Sequence, residues 1–310
     1  MSRTIAPDAC RVVAPTVEPL AGGSAAGWRV VLGVFKIRIG VLIMITALGG
    51  WAIVPDSAAS SVQVMTLALS VLLASASAGA FNQYFEADND RLMARTRHRA
   101  FASGALPRSR GWLAAIVLLQ GLSVAAVAWV VNLTSAGFVL LGALTYAVVY
   151  TVWLKRRTPW NIVIGGLSGS FAVLAGAAAA NPQIGMPALL LALVLFLWTP
   201  PHFWSLAIAN AADYAAAGVP MLPVVVGGER AARIVHAHAV VLVAASMLPM
   251  FFGAGWLYLA GATLGGVHFL RRTRALARQP SRKTAMAAFF ASMVQLSVLL
   301  AAVAVDAAMR

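Results

Sequence analysis

The chain has 310 residues, 61% of them hydrophobic and only 10% charged, with a mean hydropathy of +0.85 and a net charge of +14. Soluble domains are roughly 45–50% apolar and about 25% charged, so the composition excludes an ordinary soluble protein and indicates a polytopic membrane protein. The single cysteine, Cys10, excludes an internal disulfide and a thiolate metal site. The basic residues cluster between apolar segments, which assigns the positive charge to membrane topology and argues against nucleic acid as a partner.

Residues 1–28 mix Pro, Gly, Ser and Ala, carry Asp8 and Glu18, and lack a continuous apolar run. They read as a disordered cytoplasmic tail, not a cleaved signal peptide, followed by a single transmembrane domain over 29–310. Apolar stretches of about 17–25 residues are needed to cross a bilayer, and only helices satisfy their own backbone there. Nine such stretches are predicted, about 37–54, 62–86, 112–132, 134–154, 161–180, 184–206, 233–252, 254–270 and 285–305. Turn residues separate them: Pro55-Asp56, Asn132, Thr158-Pro159, Asn181-Pro182, Gly227-Gly228 and Gly253. The expected class is therefore all-α, a nine-helix membrane bundle.

With nine spans, 22 of the 23 basic residues fall on one side and only Arg310 on the other. The positive-inside rule then puts the N-terminus in the cytoplasm and the C-terminus in the periplasm of a bacterial inner membrane. The stretch from Arg271 to Lys283 reads as a topology signal and an anionic-lipid contact. His236, His238 and His268 read as packing residues.

At the cytoplasmic end of the second span stand Asn82, Glu86 and Asp90, with Asp88 between the last two and six arginines from Arg91 to Arg110 following. Charge in hydrocarbon is costly, so acids at a membrane helix end suggest function. Residues four apart drift by only about 40° around a helix, which places the three oxygen-bearing side chains on one face and Asp88 off it. Hard oxygen ligands beside a basic cluster suit Mg²⁺ carrying an anionic phosphate. The competing reading is an acid cluster that merely neutralises the neighbouring arginines.

The loop after the sixth span contains Asn210 and Asp213. Two polar loops four spans apart suggest a diverged duplication whose sites face one another. In Trp198-Thr199-Pro200-Pro201-His202-Phe203-Trp204 the prolines are expected to break or kink the sixth span, since each lacks an amide donor. Helix resuming after Pro201 would line His202, Leu206, Asn210 and Asp213 along one face of the same cavity. A histidine there also has a plain packing reading.

Together these residues resemble the UbiA-type intramembrane prenyltransferases, through Asn82-x-x-x-Glu86-x-x-x-Asp90. Further segments resemble the protohaem IX farnesyltransferase (haem O synthase) branch: Arg95-Thr96-Arg97-His98-Arg99, Leu154-Lys155-Arg156-Arg157-Thr158-Pro159-Trp160-Asn161-Ile162-Val163-Ile164-Gly165-Gly166, Trp198 to Trp204, and Asp213-Tyr214 through Pro220-Met221-Leu222-Pro223-Val224-Val225. The resemblance spans about residues 30–305. It departs at Lys36-Ile37-Arg38, where the family often has Lys-Pro-Arg; at Arg99-Ala100-Phe101, for Arg-Pro-Leu; and at Asn210-Ala211-Ala212, where a lysine usually precedes Asp-Tyr.

The resemblance implies farnesyl transfer from farnesyl diphosphate to a vinyl group of haem B, giving haem O for haem-copper oxidases. It implies Mg²⁺ held by Asn82, Glu86, Asp90 and Asp213, with the diphosphate held by Arg95, Arg99, Lys155 and Arg156. Tyr146, Tyr150, Trp198 and Phe203 would face the allylic cation, and His202 would contact haem iron or a propionate. Implied partners are the two substrates, membrane lipids, and downstream a haem A synthase or oxidase assembly factors. A prenyltransferase with an aromatic quinone-precursor acceptor would share the metal motif but not the Pro-Pro-His segment. A secondary transporter would need acids near midspan, and the clustered acids lie at helix ends.

Overall fold

The computed structural model describes residues 24–309 except Asp56 and Ala58, with side chains from Gly27 onward. Cys10, Arg3, Arg11 and Arg310 lie outside the described residues, as does most of the expected tail, although the helix that opens the described chain already begins at Ser24.

Among the described residues the chain is helical throughout, without strands. Helix α1 (Ser24–Val34) leads at a 41° bend into α2 (Ile37–Ala52). Helix α3 (Ser61–Phe85) starts at a capping box, in which the Ser60 side chain takes the Gln63 amide and the Gln63 side chain returns to Ser60. Two short helices follow, α4 (Ala87–Arg91) and α5 (Ala100–Ser103), then α6 (Arg110–Val130) capped by Ser109. Asn132 caps α7 (Leu133–Leu144), which continues as a π-helix over Thr145–Leu154. Next come α8 (Asn161–Gly165), α9 (Leu167–Ala180), α10 (Met186–Ala209), and the short α11 (Ala211–Ala216) and α12 (Leu222–Val226). The remainder is α13 (Gly228–Ala245), a 3₁₀ turn over Leu248–Phe252, α14 (Trp256–Arg278) and α15 (Arg282–Ala308), the last capped by Ser281. The expected turn residues mark the breaks: Gly227 and Gly253 adopt φ of 81° and 102°, a region open to glycine and costly for other residues.

Every predicted span falls on helix for most of its length, and a count of seven or eight crossings meets the length and apolarity that a span needs, so nine is not confirmed. Seven described helices are long and apolar enough to cross, eight if α1 and α2 count as one bent span. The first predicted span is only 16 residues as α2 alone. The eighth, α14, falls short because its last two turns carry Arg271, Arg272, Arg274 and Arg278. The chain is an integral membrane protein, and its outer surface suits lipid, with large apolar side chains such as Leu118, Leu122 and Leu264 well exposed. Trp129, Phe251 and Trp256 gather at helix ends opposite the arginine-rich loops, as interfacial aromatics do.

The core interfaces are built from small residues. Ala47, Gly50, Ala172, Ala175 and Gly176 bring α2 and α9 together, which is how apolar helices associate where lipid removes the hydrophobic drive. The arrangement leaves one large cavity, bounded by α2, α3, the π-helix, α9, α10 and α15.

Candidate active site

The Asn82–Glu86–Asp90 face survives a local interruption. Helix α3 stops at Phe85 and Glu86 sits in a turn, yet Glu86 N still donates to Asn82 O (3.0 Å) and Asp90 N to Glu86 O (2.8 Å). The helical phase is therefore kept, and all three side chains are buried, between 1% and 4% exposed. Asp88 points out, where Arg108 binds both its oxygens at 2.8 and 2.9 Å and holds its carboxyl below the usual carboxylate range.

Each buried oxygen meets a cation. Glu86 pairs with Lys155, and with Arg156 at 3.3 Å. Asp90 accepts from Arg99 Nη1 with both oxygens, at 3.1 and 2.8 Å. Asn82 Oδ1 accepts from Lys36 Nζ at 2.8 Å, while its Nδ2 donates to Thr151 Oγ1 at 3.1 Å. Lys155 is delivered by the π-helix, whose i→i−5 bonding ends with Lys155 N donating to Tyr150 O (2.9 Å), while the Thr151 side chain donates through Oγ1 to Tyr146 O (2.8 Å). Such segments recur at functional sites. Asn161 Nδ2 then clamps the following turn through the carbonyls of Lys155 and Thr158.

The second polar loop meets the first. Asp213 Oδ2 accepts from Arg95 N at 3.3 Å, and Tyr214 Oη accepts from Arg95 Nη2 at 3.3 Å, with the guanidinium also over the Tyr214 ring. Burial pushes the Tyr214 hydroxyl pKa up, with Arg95 acting against it. Contrary to expectation, Asp213 does not join Glu86 and Asp90. It lines a smaller neighbouring pocket with Arg95, Leu206, Asn210 and Arg282. The reason is local: α10 ends at Ala209, and Asn210 (φ −126°, ψ 31°) breaks the phase that would have carried Asp213 along the His202 face.

Of the expected break or kink at the prolines, the break is not found: helix α10 runs on through Pro200 and Pro201. Thr199 Oγ1 and Ser205 Oγ donate to carbonyls one turn back, and Trp198 Nε1 ties the segment to Ser292 O at 2.8 Å. Polar side chains and neighbouring helices commonly make proline tolerable in membrane helices. His202 is stacked between Trp198 and Phe289, with ring centroids 4.2 and 4.5 Å away, and its Nδ1 lies 2.7 Å from Ser292 Oγ. The packing reading of His202 is thus satisfied, and the ring still lines the cavity. His236 bonds Thr273 and His238 meets the Trp204 edge, as packing residues do.

The cavity measures about 1300 Å³. Its polar end holds Asn82, Asp90, Arg95, Arg99 and Lys155, and its wall holds Tyr146, Tyr150, Trp198, His202 and Phe203. Glu86 lies behind Lys155, and Arg156 sits outside, over the Phe85 ring. From there the space runs between α2 and α15 to Leu300 and Ala304. One end suits an anion and the long remainder suits an apolar chain.

Residues 43–294 match the model of the UbiA prenyltransferase family. The chain belongs to that family. It is 54% identical to protoheme IX farnesyltransferase 2 of Paramagnetospirillum magneticum over 91% of this chain and 98% of that protein. It is 37% identical to the protoheme IX farnesyltransferase of Hahella chejuensis over 91% and 95%. Among solved structures, digeranylgeranylglyceryl phosphate synthase superposes with a TM-score of 0.75 at 18% identity, over 92% of this chain and all of that one. A UbiA homologue from Archaeoglobus fulgidus, bound to DMAPP and Mg²⁺, gives 0.69 at 15%, over 86% and 99%. These likenesses establish the UbiA fold.

Within this UbiA bundle, sequence reasoning overlooked Lys36, Gln83, Thr151 and Tyr214. Lys36 was visible only as a lysine before an apolar span and as part of Lys36-Ile37-Arg38, and Tyr214 only as the neighbour of Asp213. Nothing marked Phe289 or Ser292, whose contacts with His202 span about 90 residues of chain.

Proposed function

We propose that this UbiA prenyltransferase is a haem O synthase, transferring the farnesyl group of farnesyl diphosphate to a vinyl group of haem B. The observation that carries this reading is 54% identity, over 91% of this chain, to a protein named protoheme IX farnesyltransferase. The site supports it. A cavity above the usual range of about 300–1000 Å³ for single ligands has room for a farnesyl chain and a macrocycle together.

In this reading Arg95, Arg99 and Lys155, which line the polar end of the cavity, hold the diphosphate as the allylic C–O bond breaks and its electron pair leaves with oxygen. Arg offers paired donors to phosphate oxygens and Lys a point charge. Tyr146 and Tyr150, stacked with centroids 5.7 Å apart, give the farnesyl cation an electron-rich, water-poor wall. The vinyl carbon pair attacks that cation, and water adds to the resulting carbocation with loss of a proton, giving the hydroxyethylfarnesyl side chain. Asn82, Glu86 and Asp90 are oxygen donors that each already hold a cationic side chain, Lys36, Lys155 with Arg156, and Arg99, and hard oxygen donors of this kind fit a divalent cation. Mg²⁺ takes few protein ligands and fills its octahedron with phosphate oxygens and water. Bound there, it would neutralise charge on the departing diphosphate. Among the described residues no three acid, His or Cys side chains converge on one point, so Asp213 would join such a site only through a shift of its loop.

Membranes carrying the chain should yield farnesylated haem on pigment extraction. A farnesylated quinone precursor instead, or no prenylated product, would overturn the assignment. His202→Ala should weaken apparent haem affinity about tenfold, the size of a lost charge-assisted or stacking contact, with farnesyl diphosphate affinity intact. Equal loss of both would reduce His202 to holding α10 against Ser292. For orientation, we place the α4 and α11 end in the cytoplasm. A reporter at Pro280 should read out there, and one beyond α15 on the opposite side; the same compartment for both would overturn the topology.

A further inference from the structure

Lys36 is the one described non-glycine residue with positive φ, at φ 47° and ψ 44°. Left-handed backbone at a residue with a side chain is strained and persists where its surroundings over-determine it. Here α3 does so. Gln83 Nε2 donates to the carbonyls of Gly33 and Val34, at 2.9 and 3.0 Å, and pins the end of α1. Gly79, one turn away, leaves the space that the Lys36 stem fills; a Cβ there would stand 3.4 Å from Lys36 Cδ. The ammonium is thereby brought into the cavity wall and onto Asn82 Oδ1.

The electrostatics of that position are lopsided. Lys36 has a neutral amide as its hydrogen-bond partner, with Arg99, Lys155 and Arg95 as like charges around it and Asp90 as the opposing one. Asp90 is already bound by Arg99, and Glu86 by Lys155 and Arg156. A partly desolvated cation beside other cations is unfavourable until an anion joins it. Two features thus coincide on one residue, a strained backbone and an uncompensated charge facing a cavity.

We propose that Lys36 is a further diphosphate contact and the keeper of Asn82. Its ammonium occupies the Asn82 carboxamide oxygen until an anionic headgroup draws it away, and that oxygen then becomes free for a cation arriving with the headgroup. Site filling is consequently concerted: cation alone meets an oxygen already taken, and anion alone meets carboxylates that still hold Arg99 and Lys155. This inference rests on the donor reading above.

The test uses the full chain in detergent, with melting temperature and pyrophosphate titration as readouts. Inorganic pyrophosphate with Mg²⁺ should raise the melting temperature of the wild-type chain well beyond the sum of the two added separately. Lys36→Gln should melt at or above the wild-type temperature without ligand, since it removes strain-held charge. It should bind Mg²⁺-pyrophosphate about tenfold or more weakly, the size of one charge-assisted contact, and should bind haem B normally. Lys36→Arg should recover most of the loss. Pyrophosphate binding by Lys36→Gln within twofold of wild type, or a lower melting temperature without ligand, would make Lys36 a structural strap and overturn this inference alone. Absence of any wild-type response to Mg²⁺ with pyrophosphate or farnesyl diphosphate would overturn the donor reading and this one together.

Discussion

Replacing Asp90 or Glu86 by alanine should lower prenyl transfer by at least about a thousandfold, the scale of losing preorganised charge stabilisation, but the two variants should fail in different ways. Glu86 is 1% exposed and shared between Lys155 and Arg156, and the Lys155 side chain is itself only 10% exposed. Removing one partner of such a pair strands a buried charge, at about 3–5 kcal/mol. Glu86→Ala should therefore accumulate poorly and melt early, as well as being inactive. Asp90 pairs with Arg99, which is 21% exposed and can turn to water. Asp90→Ala should insert and accumulate nearly normally while losing turnover. Asp88→Ala is the internal control: its carboxylate is on the surface with Arg108, and most of the activity should remain. Product formation and melting temperature of the three purified variants decide the matter. Near-normal transfer by Asp90→Ala, or an Asp88 variant as inactive as the Asp90 one, would remove the first motif from the chemistry.

What the sequence made legible follows from which interactions are local. The i→i−4 spacing of Asn82, Glu86 and Asp90 specified a shared face, and the ladder through Glu86 preserves it. The turn residues Asn132, Gly227 and Gly253 are local signals and stand where the helices change. The misjudged features depend on partners far along the chain. Prolines 200 and 201 look like a break until Ser292, some 90 residues later, holds the helix together. Lys36 looks like a topology residue until Gln83 and Asn82, nearly 50 residues on, aim it inward. Nothing in Thr145–Leu154 announces i→i−5 bonding, so the route by which Lys155 reaches Glu86 was invisible. The phase of Asp213 was lost to a single non-helical residue, Asn210, which a periodicity argument passes over.

The site depends on a frame that tolerates no added bulk, and Gly176→Val should prevent the protein from accumulating in folded form. A Cβ built on Gly176 falls onto the carbonyl of Ala47, close also to the amide nitrogen of Trp51, and one built on Gly50 falls onto the carbonyl of Val173. Helices α2 and α9 are therefore in backbone contact through reciprocal glycines, the small-residue packing that membrane helices rely on. Backbone, unlike a side-chain tip, cannot move aside without separating the helices. Overpacking in a dense interior costs about 1–3 kcal/mol even when side chains can adjust, so Gly176→Ala should already lower the melting temperature, with Val beyond repair. Separation would also widen the cavity at Thr46 and Ala172, where both helices line it, so any residual Gly176→Ala protein should show weakened substrate binding. Gly121 on α6 provides the contrast, because a Cβ there meets nothing within 4 Å. Gly121→Ala should be neutral or gain up to about 1 kcal/mol from helix propensity. Equal behaviour of the Gly121 and Gly176 variants in thermal melts would show that α2 and α9 are not packed through their backbones.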